Sequence, residues 1–143
     1  MKIFGAALIV SGGYLLGRLR VVQWNRRLNV LGDIHELFKK YSAALAEYRL
    51  SPKDYFSEQG TLGIKILNGE SIEGLCSEDQ DQINKLVGRM KKESYQEVLA
   101  ACRSYMCDQE ILIKKIKEET GSSGKAMPLV TGAIGFLIAV FLF

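Results

Sequence analysis

The sequence predicts an all-α protein in which a small helical bundle is flanked by N- and C-terminal transmembrane helices. Three observations predict this fold: an uncharged apolar segment near each end, apolar residues at helical spacing in the middle, and charge confined to that middle. Of the 19 Lys and Arg residues, all but Lys2 lie between Arg18 and Lys125, as do all 16 Asp and Glu residues. The chain therefore divides into three parts.

The first apolar segment runs from Ile3 to Gly17 and contains no charged residue. As a helix it reaches only about 23 Å, against a hydrocarbon core of about 30 Å. If the helix continues to Val22, and the guanidinium groups of Arg18 and Arg20 extend to the headgroups, its length rises to about 30 Å. We therefore expect an N-terminal transmembrane helix with a basic flank over residues 1–22.

The last apolar segment, residues 127–143, follows a Gly/Ser linker over residues 121–126 and reaches about 26 Å as a second transmembrane helix. Basic residues flank both segments on their inner sides. They are Arg18, Arg20, Arg26 and Arg27 after the first, and Lys114, Lys115, Lys117 and Lys125 before the last. Because cytoplasmic flanks are enriched in Lys and Arg, residues 23–120 are predicted to be cytoplasmic.

An alternative interpretation treats residues 1–12 as a cleaved signal peptide, which would make the protein extracytoplasmic and tail-anchored. Lys2, the apolar run and the small residues of VSGG fit a signal peptide, but apolar character resumes in YLLG and an A-x-A site is missing. The three cysteines, Cys76, Cys102 and Cys107, lack framework spacing and favour a reducing compartment.

Small residues recur in both apolar segments at spacings that allow close helix packing. Gly13 and Gly17 form a G-x-x-x-G pattern, and Thr131 and Gly135 form a second small-xxx-small pair beside Gly132. Such pairs let two helix backbones approach in lipid, where packing drives association. Pairing within one chain and pairing between protomers both remain open.

The cytoplasmic middle is predicted to be a bundle whose first and last helices are long and antiparallel. Its first helix has apolar residues in steps of three and four. They are Trp24, Leu28, Leu31, Ile34, Phe38, Tyr41, Leu45 and Tyr48. We expect Ser51 to cap a short second helix, Ser77 to cap a third, and a break at Glu93 or Ser94 before the last.

Residues that could carry chemistry are few, and their patterns predict no catalytic, cofactor or metal site. The single histidine, His35, has no spaced partner, and Cys102 and Cys107 lie about 140° apart on a helix. GSSGK lacks the first glycine and the final Ser or Thr of a phosphate-binding loop. No basic face suggests nucleic acid. We therefore expect a protein that is not an enzyme.

The order of features over residues 77–143 is an acidic helix start in SEDQDQ, a second helix, a charged helix, a Gly-Lys link and a Gly-rich terminal span. In this order the chain resembles the stage III sporulation protein AB family of endospore-forming bacteria. The resemblance extends over residues 26–56, where the family has a long helix, a turn with proline and another helix. In this chain EQGTLGIKILNGESIEG replaces a longer helical stretch.

The resemblance implies an integral membrane protein of the forespore engulfment machinery, on the mother-cell side of the outer forespore membrane. It also implies a cytoplasmic domain similar to the platform proteins of type II secretion and type IV pilus systems, which engage a cytoplasmic secretion-type ATPase. The family has no catalytic residues to carry over. The expected partners are the membrane, that ATPase, other membrane subunits of the same complex and, through homo-oligomerisation, further copies of the chain.

Two sets of residues are predicted to make these contacts. Packing in the membrane is assigned to Gly13, Gly17, Gly132 and Gly135. Partner docking is assigned, from exposure and charge, to Glu78, Asp79, Asp81, Arg89, Lys91 and Lys92. A small membrane-permeabilising protein of the holin type is a further alternative, disfavoured because most of the chain is a patterned bundle.

Overall fold

A computed structural model describes residues 2–142 and contains six α-helices, which are joined by short turns except for the loop over residues 69–76. They are α1 (Lys2–Tyr48), α2 (Pro52–Glu58), α3 (Gly60–Asn68), α4 (Ser77–Met90), α5 (Tyr95–Ser123) and α6 (Met127–Leu142). No strand occurs within residues 2–142. The predicted all-α class is confirmed.

The longest helix, α1, continues without a break for 47 residues, through both the predicted apolar segment and the predicted amphipathic helix. It contains no proline, so nothing in its interior removes a backbone hydrogen bond. It ends where Arg49 adopts a φ of 50°, with the Arg49 N–H donating to the Leu45 carbonyl at 3.1 Å.

The chain forms two compact units, one containing Met1–Leu28 with Lys114–Phe143 and the other containing Asn29–Ile113. These bounds differ from the predicted division at residues 22 and 120. Both α1 and α5 contribute to both units, because each helix continues through the boundary between them, α1 to Tyr48 and α5 to Ser123.

The second unit has an aromatic core. Phe38 lies at its centre, with its ring 5.4 Å from that of Phe56 and 5.1 Å from that of Tyr105. The stripe predicted on α1 is buried from Leu31 to Leu45, which confirms the periodicity over that range. The prediction is wrong for Tyr48, the last member of the stripe. Tyr48 is 69% exposed because the helix ends there, past the core.

The starts of the short helices test the predicted caps. Ser51 caps α2 as predicted, since its Oγ accepts the Asp54 N–H at 3.2 Å and Pro52 occupies the first turn. The Ser77 cap is wrong by one residue, because Cys76 is the N-cap of α4 and makes no side-chain cap bond. Before α5, Ser94 donates to the Glu97 carboxylate from its N–H and from its hydroxyl.

The predicted Gly/Ser linker is partly helical. Helix α5 continues to Ser123, and only residues 124–126 separate it from α6. At the turn, the Gly124 N–H donates to the Thr120 carbonyl at 2.7 Å, and a Cβ at this position would collide with the same carbonyl. The tight turn therefore fits glycine, while the residues before it extend the helix already formed.

Candidate functional site

The candidate site in the first unit is a close crossing of α1 and α6 built on glycines. A Cβ added at Gly13 would lie 2.7 Å from the Thr131 carbonyl oxygen, and one at Gly135 would lie 3.0 Å from the Ile9 carbonyl oxygen. One at Gly17 would collide with the Thr131 hydroxyl and lie 2.8 Å from the Pro128 Cα. Side chains at these positions would push the backbones apart, so the approach depends on glycine.

Thr131 is the polar group at this crossing, and its hydrogen bonds stay within α6. Its hydroxyl donates to the Met127 carbonyl at 2.8 Å, and the Pro128 carbonyl lies 3.2 Å away. A hydroxyl satisfied in this way can pack against a glycine backbone without water. Pro128 lies in the first turn of its helix, where a missing N–H costs no helical hydrogen bond.

Gly132, the remaining predicted packing residue, contributes only its backbone to this contact, since its N lies 3.8 Å from a Cβ built at Gly13. No heavy atom lies within 4 Å of a Cβ built at Gly132, and the same holds for Gly12 on α1. Gly132 instead lines an open groove of about 690 Å³, together with Ala7, Ser11 and Phe136. The structure thus brings three of the four predicted glycines into the crossing and leaves the fourth on an open face.

The outer surface of both helices is apolar and exposed, including Phe4, Leu8, Leu129 and Phe141. By length and composition, one helix of the described residues, Ile3–Tyr48, could cross a membrane, and Met127–Phe141 is a shorter apolar helix. The apolar window of the first is only 6% buried, unlike the core helix of a soluble domain. A signal sequence near the N-terminus meets the same criterion of length and composition.

Positive charge collects at one end of the crossing. Gly17 packs against Met127 and Pro128, so Arg18 on α1 and Lys125 before α6 lie at the same end of the helix pair. Both side chains are exposed. The apolar surface therefore has a basic border where two chain segments leave it.

The six predicted docking residues lie in two groups, at the start of α4 and at or just beyond its end, with Glu78 and Arg89 about 16 Å apart along the helix axis. At the acidic end Glu78 and Asp81 are exposed, but Asp79 is only 2% exposed. The predicted exposure of Asp79 is wrong, because the first turn of α4 faces the core there. Its negative charge, after the larger effect of burial, raises the pKa of Tyr105.

At the basic end of α4, two of the three predicted residues already hold partners within the chain. Arg89 Nε lies 2.7 Å from Glu93 Oε1, and Lys91 donates to the Leu67 carbonyl at 3.0 Å. Lys92 is exposed, and its side chain makes no hydrogen bond or ion pair with the residues that the structure describes, although its backbone N–H donates to the Arg89 carbonyl at 3.0 Å. The basic end therefore presents Lys92 with its donors open to a partner.

The histidine and cysteines occupy separate environments. His35 Nε2 lies 3.5 Å from Glu110 Oε1. Cys102 is buried, and burial raises the pKa of its thiol to about 11, whereas Cys76 and Cys107 are exposed. Within residues 2–142, no group of three or more His, Cys, Asp or Glu side chains is arranged to hold a metal ion.

Sequence reasoning missed the residues that receive the glycines, namely Ile9, Val10, Met127 and Pro128. A G-x-x-x-G pattern marks a surface that allows close approach, but it does not specify the opposing backbone. The chain matches no family model, no curated protein and no solved structure.

Proposed function

We propose that this protein is a doubly anchored, non-enzymatic membrane scaffold. In this proposal residues 1–22 and α6 pair within the bilayer, and the bundle between them lies in the cytoplasm. The observation that carries the proposal is the glycine crossing of α1 and α6, with backbone contacts inside and apolar side chains outside.

The meaning of the exposed apolar surface on α1 and α6 depends on whether water or lipid surrounds it. In water, a continuous apolar surface of this kind is an aggregation or docking surface, because it remains exposed after the helices have paired. In lipid, apolar outer side chains have no drive to be buried, and helices associate through close packing of small residues. The contacts of Gly13, Gly17 and Gly135 fit the second environment.

The basic border supports the orientation. Lys and Arg near membrane segments favour the cytoplasmic side, and Arg18 and Lys125 lie at the same end of the pair. Their side chains can extend to the headgroups while their stems cover apolar surface. Both segments would then enter the bilayer from the cytoplasm.

The scaffold is proposed to be a platform subunit of a sporulation-specific trans-envelope complex that docks a cytoplasmic secretion-type ATPase. The support is the resemblance over residues 77–143 together with the helical bundle of the second unit, whose exposed charges at the ends of α4 offer contacts to a partner. Other membrane subunits of the complex, or a second copy of the chain, would meet the membrane helices.

The experiment that tests this function is crosslinking of the tagged full chain in sporulating cells, followed by purification and identification of bound proteins. The proposal predicts recovery of the secretion-type ATPase, and no recovery with an equally abundant, tagged membrane protein of unrelated function. Repeated failure to recover the ATPase, with the tagged chain in the membrane fraction, would contradict the platform role.

The position of the mature N-terminus distinguishes the two-anchor arrangement from the signal-cleaved alternative. Mass spectrometry of the purified protein is expected to detect peptides from residues 2–12. Loss of about a dozen residues would remove the anchor before Gly13, and the two-anchor arrangement would fail with it.

A further inference from the structure

The open groove at Gly132 runs along the crossing of α1 and α6, beside the glycine contacts that join the two helices. It has a volume of about 690 Å³, and apolar atoms form almost all of its surface. The Ser11 hydroxyl donates to the Ala7 carbonyl at 2.7 Å, so this donor is not free for a ligand. The groove therefore suits a hydrocarbon chain. Its walls include Ala7, Ser11 and Tyr14 on α1, and Pro128, Gly132 and Phe136 on α6.

The groove is as long as one leaflet of a bilayer is deep. Its lining residues run from Ala7 to Tyr14 on α1 and from Pro128 to Phe136 on α6, which is about 12 Å along a helix. One leaflet contributes about 15 Å to the hydrocarbon core, whereas a partner's transmembrane helix crosses all of the roughly 30 Å. An acyl chain from one leaflet matches the groove in length, and a crossing helix does not.

Two cations lie at the mouth of the groove. Arg18 follows Tyr14 by four residues, so the two side chains are neighbours on the same face of α1. On the other wall, Lys125 precedes Pro128 by three residues. Both cations are exposed, and among the described residues their side chains make no hydrogen bond or ion pair. The mouth therefore offers open donors to an anion.

The charge of the first unit differs in sign from that of the second. The first unit contains nine basic and two acidic side chains, whereas the second contains ten basic and fourteen acidic side chains. The two acids of the first unit, Glu118 and Glu119, already interact within the chain. Basic clusters beside membrane segments, without compensating acids, are typical of binding to anionic lipids. The groove thus combines an apolar channel with an anion-binding mouth.

We propose that the open groove binds an anionic phospholipid of the cytoplasmic leaflet. Its phosphate lies between Arg18 and Lys125, and one acyl chain lies along the groove. The inference rests on the proposed membrane insertion and not on the platform role. A guanidinium group suits a phosphate because it can donate two parallel hydrogen bonds, and Tyr14 is a residue type enriched at the membrane interface.

The headgroup and the acyl chain contribute in different ways. An acyl chain that moves from the bilayer into the groove stays among apolar atoms, so it gains packing and little hydrophobic free energy. The preference for an anionic lipid therefore depends on the two cations.

A second copy of the chain is the other occupant to weigh, and the charge disfavours it. All copies inserted by the same rule have their basic ends on the same side of the membrane. A second copy in the groove would bring more cations to a mouth that already has two unpaired ones, and like charges at an interface oppose binding. An anionic lipid neutralises the mouth instead.

The test measures the apparent Kd of phosphatidylglycerol and of phosphatidylcholine for the full chain in neutral detergent micelles, by native mass spectrometry. Wild type should bind phosphatidylglycerol at least about tenfold more tightly, and this preference should fall as salt rises. Arg18→Gln with Lys125→Gln should remove the preference. Arg18→Lys with Lys125→Arg, which keeps both charges, should retain it within about threefold.

The matched charge control is Arg20→Gln with Lys117→Gln. It removes the same charge from the same unit, at exposed positions that do not line the groove. Arg20 lies about 200° around α1 from Arg18, so its side chain leaves the opposite face of the helix. The control should keep the preference for phosphatidylglycerol within about threefold of wild type.

A second pair of variants tests the acyl channel. Gly132→Leu places a side chain in the groove and should weaken binding of both lipids about fivefold or more. Gly12→Leu is its control, because a Cβ at Gly12 also has no heavy atom within 4 Å and Gly12 does not line the groove. It should bind both lipids as wild type does. Equal unfolding midpoints in sodium dodecyl sulfate would show that every variant keeps its fold.

Each contrary outcome identifies what has failed. If the wild-type chain does not float with phospholipid vesicles, the membrane proposal and this inference fail together. If it floats but binds the two lipids equally, the inference alone is overturned. Equal losses in the Arg18 and Arg20 double variants would show unspecific attraction, which also overturns it. If Gly132→Leu dissociates a dimer and leaves lipid binding unchanged, the groove holds a second copy and the inference is wrong.

Discussion

The two compact units achieve close packing in opposite ways. In the second unit, large side chains fill the space between helices, with Phe38, Tyr41 and Phe56 almost fully buried. In the first, the contact between α1 and α6 is made by backbone atoms around glycines, while large side chains point outward. A core of side chains is expected where water drives burial, and a backbone contact is expected where lipid does not. This difference supports the proposal that one chain is built for two solvents.

The largest predicted effect is in the aromatic core. Phe38→Ala should destabilise the second unit by about 3–5 kcal/mol, because it removes a buried ring that packs on Phe56 and Tyr105. Chemical denaturation followed by near-UV circular dichroism measures this change. Tyr48→Ala, on the same helix, is the control and should change the stability by less than about 0.5 kcal/mol.

The second prediction concerns the glycine crossing. Gly13→Leu should weaken the pairing of α1 with α6 by about 1–3 kcal/mol or more, since its Cβ would press on the Thr131 carbonyl. Gly132→Leu adds the same side chain to the open face and should change stability by less than about 0.5 kcal/mol. Unfolding of the full chain in mixed micelles, titrated with sodium dodecyl sulfate, provides the comparison. Equal effects of the two substitutions would contradict the crossing.

The third prediction concerns two buried tyrosine hydroxyls in the second unit. The hydroxyls of Tyr41 and Tyr105 are buried without a hydrogen-bond partner among the described residues, and burial raises the pKa of both. Tyr105→Phe should therefore raise stability by about 1 kcal/mol, whereas Tyr95→Phe, which loses a bond to Ala46, should lower it by a similar amount. Thermal unfolding at neutral pH measures both. A loss of stability in Tyr105→Phe would reveal a partner for that hydroxyl.

The smallest predicted effect is electrostatic and lies at the start of α5. The backbone N–H and the hydroxyl of Ser94 lower the pKa of Glu97 below its ordinary value of 4.5. A lowered folded-state pKa means that the stabilisation is present above about 4.5 and is lost as the pH falls through the folded value. Melting temperatures of wild type and Glu97→Gln should therefore converge in acid. A constant difference down to pH 3 would be inconsistent with this cap.

Helix periodicity and cap chemistry are local properties, and they predicted much of the second unit. The stripe from Leu31 to Leu45 and the Ser51 cap followed from spacing and residue type. Features that depend on the neighbouring element were not predictable in this way. Asp79 is a residue type typical of a helix start, but its side chain is buried in the core. Tyr48 fits the spacing of the stripe but lies beyond the end of the core.

At the candidate site, too, the sequence could not predict features that depend on the neighbouring helix. Four glycines at suitable spacing marked the two apolar segments, yet only the position of the opposing helix distinguishes Gly135 from Gly132. The linker gave a similar result, because helix α5 continues through Gly121 until the chain must turn at Gly124.

The most direct test of the two-solvent account is cysteine labelling of the full chain in intact cells with a membrane-impermeant maleimide. Cys76 and Cys107 are exposed on the bundle, while Cys102 is buried and its raised pKa of about 11 keeps the thiol protonated. If the bundle lies in the cytoplasm, no cysteine should be labelled in intact cells. Cys76 and Cys107 should be labelled after permeabilisation, and Cys102 only after unfolding. Labelling of Cys76 or Cys107 from outside intact cells would contradict it.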